Sequence, residues 1–204
     1  MSYKRTSARA YAAALVLGLS LAASVAAEPV ASHHAATVVA IENFGKVNDN
    51  YYRGAQPKGR DYADLAALGV RTVIDLTAGD DAGELGSVEA AGMQFYRIPM
   101  TTHAQPAPEA VAQFLGLVND PAKQPVYVHC AGGHHRTGIM TAVYRMTQDG
   151  WTADRAFGEM QQFGFGPAFL HSELKRFVYD YYGRIDQVKT SAQPAAAPAA
   201  KTDR

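Results

Sequence analysis

Short apolar runs rich in β-branched residues alternate along the chain with longer stretches of helical periodicity. Four of these runs are bounded by glycine, proline or polar residues, as expected for short strands. The run Arg71–Leu76 is almost wholly β-branched or aliphatic apart from its polar start and one aspartate, which predicts a buried strand. The other predicted strands are Val47–Arg53, placed at an edge of the sheet, Met93–Ile98 and Val126–His129.

The stretches between and after these runs have the spacing of amphipathic helices. In the segment that begins at Pro108, one apolar face is formed at helical spacing by Val111, Phe114, Leu115 and Val118. Further helices are predicted from Pro57 and Lys58 to Gly69, over Glu84–Ala91, and at about 136–149, 153–163 and 168–183. Strands that alternate with helices predict an α/β fold, with a mainly parallel central sheet of about four or five strands flanked by helices.

The two ends of the chain differ in composition from its centre. Residues 1–27 predict a cleaved secretory signal, with three basic residues before an apolar stretch and small residues leading to a cleavage site near Ala27. An uncleaved membrane anchor is the alternative for this stretch. Residues 28–46 are interpreted as a lead-in segment, 47–186 as the folded domain, and 187–204 as a flexible tail rich in Ala and Pro.

Composition and charge exclude several classes of protein. The chain has 204 residues, of which 48% are hydrophobic and 19% charged, so it is too apolar to be disordered throughout. Its 19 basic and 19 acidic residues give no cationic excess for nucleic-acid binding. A single cysteine excludes an internal disulfide and a cysteine-rich zinc site. Loss of the signal would leave a net charge near −3, with no stable membrane span, and we expect a monomer.

The candidate chemistry lies directly after the strand Val126–His129. Cys130-Ala131-Gly132-Gly133-His134-His135-Arg136-Thr137-Gly138 forms a short glycine-containing loop and then opens a helix. Such a loop can turn successive backbone N–H groups inward, and the helix N-terminus adds its own N–H groups and partial positive charge. Arg136 offers a guanidinium fork that matches phosphate oxygens. The same surroundings favour the thiolate of Cys130, which predicts a nucleophile beneath a bound phosphate.

His129-Cys130-x₅-Arg136-Thr137-Gly138 resembles the H-C-x₅-R-[ST]-G signature of the cysteine-dependent protein tyrosine and dual-specificity phosphatases. Three further segments resemble a compact bacterial branch of that superfamily and the atypical dual-specificity phosphatases of plants and fungi. They are Tyr52-Arg53-Gly54-Ala55-Gln56-Pro57, the segment from Leu68 to Leu76, and Tyr96-Arg97-Ile98-Pro99. The resemblance covers about residues 47–183, and it implies the dual-specificity-phosphatase fold and hydrolysis of phosphate monoesters.

The resemblance also implies roles for single residues. Cys130 is expected to be the nucleophile, and Arg136 to bind phosphate together with the backbone of Ala131, Gly132, Gly133, His134 and His135. Thr137 is expected to donate its hydroxyl to the sulfur when the thiolate leaves. His129 is expected to orient the loop rather than act as a base. No metal or organic cofactor is implied, and the histidines around Cys130 suggest a metal site only weakly, because an arginine among inward N–H groups suits an anion.

One feature of the family pattern is missing. Dual-specificity phosphatases usually carry a general-acid aspartate just after the segment that corresponds to Tyr96–Pro99, where this chain has Met100-Thr101-Thr102-His103. The nearest acidic residues follow the strand Arg71–Leu76. We expect Asp80 or Asp81 to supply the proton, with Asp80 first, and Glu84 and His103 as further candidates.

Three readings of function therefore remain. The first is an exported phosphatase, periplasmic or secreted, that acts through a cysteinyl-phosphate on a phosphorylated protein or a phospholipid. Its substrate group would be phosphotyrosine, phosphoserine, phosphothreonine or a phosphoinositide. The second is a non-catalytic module that binds phosphate, a pseudophosphatase, which the missing aspartate favours. The third is a rhodanese-like sulfurtransferase, which also carries a cysteine loop on an α/β fold but with a loop that is typically one residue shorter. Selectivity among substrates would come from local groups such as Arg53, His103, His134 and His135.

Overall fold

The computed structural model describes residues 39–79 and 82–192, without the side chains of residues 82, 168, 169 and 186–192. The predicted signal (1–27), most of the predicted lead-in, the tail beyond residue 192 and both Asp80 and Asp81 lie outside the described residues. No helix within the described ranges has the length and apolar character that crossing a membrane requires.

A five-stranded sheet forms the centre of the fold, which confirms the predicted α/β class. The strands are β1 (Gly45–Asn48), β2 (Tyr51–Ala55), β3 (Thr72–Thr77), β4 (Gln94–Met100) and β5 (Val126–Cys130). They are arranged in the order β1-β2-β5-β3-β4. Only β1 is antiparallel to its neighbour, and the other three pairings are parallel. The strand that ends at Cys130 is therefore the middle strand, and its carboxyl end lies between those of β2 and β3.

Six α-helices and one 3₁₀ turn complete the described part of the fold. The helices are α1 (Asp61–Ala67), α2 (Ala82–Ala90), α3 (Pro108–Val118), α4 (His135–Gln148), α5 (Ala153–Gln162) and α6 (Ser172–Ala192), with the 3₁₀ turn at Ala168–His171. Each lies close to a predicted helix. The last one differs: its first turn is 3₁₀, and α6 continues to Ala192, into the segment predicted as tail.

Helices cover both faces of the sheet. Side chains alternate along a strand, so Val126 and Val128 pack into one hydrophobic cluster while Tyr127 between them packs into the other. The larger cluster includes buried residues of α3, α4, α5 and α6, and the smaller one includes buried residues of α1 and α2. Burial on both faces explains why β5 is apolar at nearly every position.

The sequence pattern predicts one edge strand over Val47–Arg53, where the structure has two strands joined by a tight turn. Asn50 N–H donates to Asn48 Oδ1 at 2.9 Å, a local side-chain contact that favours a turn. The edge strand is consequently β1, and β2 is an inner strand paired with β5. This change places Arg53 and Gly54 beside the cysteine loop.

Candidate active site

The loop that follows Cys130 is held in place by hydrogen bonds that its backbone carbonyl groups accept. Three consecutive carbonyl oxygens accept hydrogen bonds from residues outside the loop, and the fourth accepts the first helical hydrogen bond of α4. The donors are Gln56 N–H to Ala131 (3.2 Å), Asn43 Nδ2 to Gly132 (3.4 Å), Arg53 Nη2 to Gly133 (2.8 Å) and Gly138 N–H to His134 (3.1 Å). In a trans peptide the next N–H points opposite to the carbonyl. The N–H groups of residues 132–135 therefore point away from these donors, toward the concave side of the loop.

The N–H groups on that concave side are available to a ligand. Among the described residues, no carbonyl accepts a backbone hydrogen bond from the N–H groups of residues 131–136. Helix α4 begins at His135, so its first N–H groups belong to the same set. A row of unpaired N–H groups at a helix N-terminus is an anion-binding arrangement, and it suits a tetrahedral oxyanion such as phosphate.

Gly133 is the tightest point of the loop. Its φ is +71°, in the left-handed region that disfavours side chains. A Cβ at this position would lie 2.5 Å from the carbonyl carbon of Gly54 and 2.6 Å from its oxygen. The loop and β2 therefore touch backbone to backbone, and only glycine permits both the approach and the conformation.

Cys130 lies at the base of the loop, as the last residue of β5, and is buried. The side chain of Arg136 extends from the first turn of α4 toward the end of β4, where Nη1 lies 3.4 Å from the Met100 carbonyl oxygen. Its Nε is buried and has no hydrogen-bond partner within the described part of the chain. The hydroxyl of Thr137 is likewise buried without such a partner. The thiol, the guanidinium and the hydroxyl thus belong to one loop and to the first turn of the helix that follows it.

The two loop histidines are turned toward the segment after α5. His134 Nδ1 lies 2.9 Å from the Phe163 carbonyl oxygen, and His135 Nε2 lies 3.0 Å from that of Phe165. The ring of His135 also packs against His171, with centroids 3.9 Å apart. Burial, and after it the proximity of His171, lowers the pKa of His135 below its usual range. Both imidazoles are half-buried and engaged with protein rather than extended freely toward substrate.

His129, which precedes the nucleophile, lies between two buried carboxylates. Its Nε2 is 2.9 Å from Glu84 Oε1, and its Nδ1 is 3.9 Å from Asp75 Oδ1. Asp75 also accepts hydrogen bonds from the N–H and hydroxyl of Thr77 and from Arg97 Nε at 2.8 Å. The positioning role expected of His129 fits this enclosed arrangement.

The three side chains Asp75, Glu84 and His129 would be close enough to ligate a metal ion, with ligand atoms within 4.8 Å of one another. The Arg97 guanidinium already lies against Asp75 and would repel a second cation there. The group is therefore better suited to a buried polar network, built on the ion pair of Asp75 with Arg97, that supports β5. Glu84 is buried and committed to His129, with Gln56 and Tyr62 also in contact, so it is poorly placed to protonate a leaving group.

The remaining candidates for the general acid are His103, Asp80 and Asp81. His103 is exposed on the segment between β4 and α3, next to Thr102. Asp80 and Asp81 follow β3 and immediately precede α2, but they lie outside the described residues.

Arg53 was expected to contribute to substrate selectivity. In the structure its side chain is fully buried beneath the loop and is not exposed to substrate.

Comparison with known proteins agrees with this site. Residues 30–174 match a family model described as "DSP-PTPase phosphatase fused to NAD+ Kinase". The chain is 34% identical over 155 residues to the dual specificity protein phosphatase TpbA of Pseudomonas aeruginosa, covering 75% of this chain and 69% of that protein. The chain therefore belongs to the dual-specificity and tyrosine phosphatase family, and it is a phosphatase of that family.

Two further similarities bear on fold and substrate. A crystal structure of TpbA in complex with pTyr is 27% identical, with a TM-score of 0.60 and coverage of 72% of this chain and 90% of that one. The inositol diphosphatase SIW14 of Saccharomyces cerevisiae is 28% identical over 137 residues, which are 64% of this chain and 48% of that protein. The chain thus spans about half the length of the yeast relative.

Proposed function

We propose that this phosphatase hydrolyses phosphate monoesters through a cysteinyl-phosphate on Cys130. The observation that carries the proposal is the loop whose carbonyls accept hydrogen bonds from β2, its neighbours and the first turn of α4, which leaves a row of N–H groups for the phosphate oxygens. Arg136 adds the guanidinium that neutralises charge on those oxygens during transfer. The anion site and the thiol belong to the same loop, so binding alone brings the phosphorus near the sulfur.

The reaction has two displacement steps. In the first, the Cys130 thiolate forms a bond to phosphorus while the bond from phosphorus to the ester oxygen breaks, and that oxygen takes a proton from a general acid. In the second, water attacks phosphorus and the sulfur leaves as thiolate. The unpartnered hydroxyl of Thr137, in the first turn of the same helix, is the group we assign to the departing sulfur.

We assign the general acid to Asp80 or Asp81. The residues between Met100 and Pro108 contain no carboxylate, so the usual position of the acid is not filled there. The turn after β3 is one of the loops at the carboxyl edge of the sheet, where ligands of such folds bind. His103 is the alternative, on the neighbouring loop after β4.

We propose a phosphorylated protein, with phosphotyrosine among its residues, as the substrate class. The TpbA relative is a dual specificity protein phosphatase, and the TpbA structure contains pTyr. An inositol phosphate is the second candidate, because SIW14 is an inositol diphosphatase. A polyanionic inositol phosphate favours a cluster of accessible cations, whereas Arg53 is buried and His134 and His135 are engaged with carbonyls.

We also propose that the enzyme is exported. The family match begins at residue 30, just beyond the predicted cleavage site near Ala27, which supports a separate role for the residues before it. The test is fractionation of cells that express the chain with a C-terminal tag. A shortened protein in the periplasm or medium is expected, and a full-length protein in the membrane fraction would instead indicate an uncleaved anchor.

The test of the activity is hydrolysis of p-nitrophenyl phosphate by wild type and Cys130→Ser, with EDTA present. This ester has a good leaving group, so the result depends least on the general acid. Turnover that survives EDTA and is lost in the variant is expected. Binding of vanadate without turnover would indicate a phosphate-binding pseudophosphatase. A persulfide on Cys130 after treatment with thiosulfate would indicate a sulfurtransferase.

A further inference from the structure

A buried guanidinium lies directly beneath the phosphate loop. Arg53, in the middle of β2, has none of its surface exposed. Its Nη2 donates to the Gly133 carbonyl oxygen at 2.8 Å, and its Cζ lies 3.9 Å from the centroid of the Phe163 ring. Its Nε and Nη1 are buried and have no hydrogen-bond partner in the described ranges. An arginine is almost never buried in this way without a paired anion.

No carboxylate of the described residues forms an ion pair with Arg53 within 4.0 Å. Glu159, on α5, is bound by Arg145 at 2.7 Å and already balances that charge. Tyr51 is neutral at physiological pH, because burial raises the pKa of its hydroxyl well above the usual range. The unpaired guanidinium thus lacks a resident counter-charge.

Cys130 is the acidic group that the sheet brings to the same place. Arg53 pairs with Val128 in the parallel register of β2 and β5, and Cys130 follows Val128 by two residues. Paired residues and residues two apart share one face of a sheet, so Arg53 and Cys130 project to the same side. Burial lowers the pKa of Arg53, and Tyr51, Glu159 and Cys130, in that order, oppose this effect.

We infer that Arg53 is a positioning residue that supplies, from beneath the loop, the positive charge that stabilises the Cys130 thiolate and the bound phosphate. Its bond to the Gly133 carbonyl also fixes the curvature of the loop. This inference rests on the proposed function, since a thiolate and a phosphate are the anions that would balance the buried charge of Arg53. Arg136 then acts on the phosphate from the accessible side, and Arg53 acts through the loop.

The test measures the pH dependence of Cys130 alkylation by iodoacetamide, which requires no turnover. Cys130 is the single cysteine of the chain, so the reaction reports on it alone. Arg53→Met removes the charge and keeps an unbranched side chain, and Arg53→Lys keeps the charge but loses the fork. Asn43→Gly is the matched control: it removes a side-chain donor to the Gly132 carbonyl while permitting the positive φ of 56° at this position.

The expected result is an upward shift of the alkylation midpoint by about one to three pH units in Arg53→Met, the range that a nearby charge produces. Arg53→Lys is expected to recover most of the shift, and Asn43→Gly to move the midpoint far less. An unchanged midpoint in Arg53→Met, or equal shifts in the Met and Lys variants, would overturn the inference. If Arg53→Met does not melt cooperatively, Arg53→Lys decides alone, because a large upward shift with the charge retained would contradict the account.

The same experiment separates this inference from the proposed function. An alkylation midpoint that rises in Arg53→Met, in a protein whose wild type hydrolyses no ester, would refute the phosphatase proposal and leave the role of Arg53 in thiolate stabilisation intact. A wild-type protein that hydrolyses esters, with a midpoint unaffected by Arg53→Met, would do the reverse.

Discussion

Replacement of Gly133 by alanine tests how closely the loop depends on its contact with β2. The new Cβ would lie 2.5 Å from the carbonyl carbon of Gly54, whereas carbon atoms in contact prefer about 3.5–4.0 Å, so the loop must move by about 1 Å. The φ of +71° costs a further ~1–2 kcal/mol once a Cβ is present. A displacement of this size weakens the bond from Arg53, and a charged hydrogen bond of this kind contributes about 1.5–3 kcal/mol.

Gly150 provides the matched control. Its φ is +67°, but a Cβ there would meet no atom within 4 Å. It follows α4 at the end away from the loop, about 20 Å along the helix. Gly150→Ala therefore measures the cost of the backbone conformation without the collision.

The two variants are compared by urea unfolding and by kcat/KM on p-nitrophenyl phosphate. We expect Gly150→Ala to lose about 1–2 kcal/mol of unfolding free energy and no activity. Gly133→Ala should lose about 2–4 kcal/mol and about 100-fold in kcat/KM, because a misplacement of about 1 Å at a reacting group has that effect. Equal losses of stability in the two variants, with activity retained in both, would refute the argument that backbone contact shapes the site.

Three other predictions follow from the same contacts. Glu84→Ala should cost about 1–3 kcal/mol in urea unfolding by leaving a buried nitrogen of His129 without its nearest polar neighbour, whereas Glu89→Ala on the exposed side of α2 should change stability by less than about 0.5 kcal/mol. Arg136→Lys should lower kcat/KM by about 10²–10³-fold with little change in stability. An unchanged rate would show that the two-pronged contact of the guanidinium with phosphate oxygens is not needed. Because the pKa of His135 is lowered in the folded state, the unfolded chain takes up a proton at this residue at a higher pH than the folded chain does. The free energy of unfolding should therefore fall as pH drops below about 6.5. His135→Gln should reduce this dependence of the unfolding free energy on pH.

The local part of the site could be predicted from sequence, because strand, loop and helix are adjacent in the chain. The run Val126–His129, the glycines and the opening of a helix at about residue 136 are all short-range signals, and the structure has β5, the loop and α4 in that place. The parallel sheet was predictable for a similar reason, since its strands alternate with helices whose periodicity is clear.

The contacts that hold the site lie at long range in sequence and carry no such signal. Glu84 meets His129 and Arg53 meets Gly133 only because the strand order brings β2 and β3 to either side of β5. The prediction of one edge strand over Val47–Arg53 gave no indication of the contact between Arg53 and Gly133, because an edge position would leave Arg53 at the surface. The turn at Asn48-Asp49-Asn50 was the available signal for two strands instead of one.

The histidines show a second limit of the same kind. Inside an anion-binding loop, His134 and His135 suggest contacts with substrate, but their rings lie against the carbonyls of Phe163 and Phe165. Gly164 leaves the space for the His134 ring, since a Cβ there would lie 2.8 Å from it. Glycines that alternate with aromatic residues in Phe163-Gly164-Phe165-Gly166 were the sequence feature that could have indicated a packed turn.

The most direct test of the central claim is to trap the covalent intermediate. Wild-type protein is mixed with p-nitrophenyl phosphate, quenched in acid within the first turnover, and its peptides are analysed by mass spectrometry. We expect the peptide containing Cys130 to gain the mass of one phosphoryl group, and Cys130→Ser to give neither this adduct nor turnover. Sustained hydrolysis by Cys130→Ser, or a phosphoryl group found on another residue, would contradict this expectation.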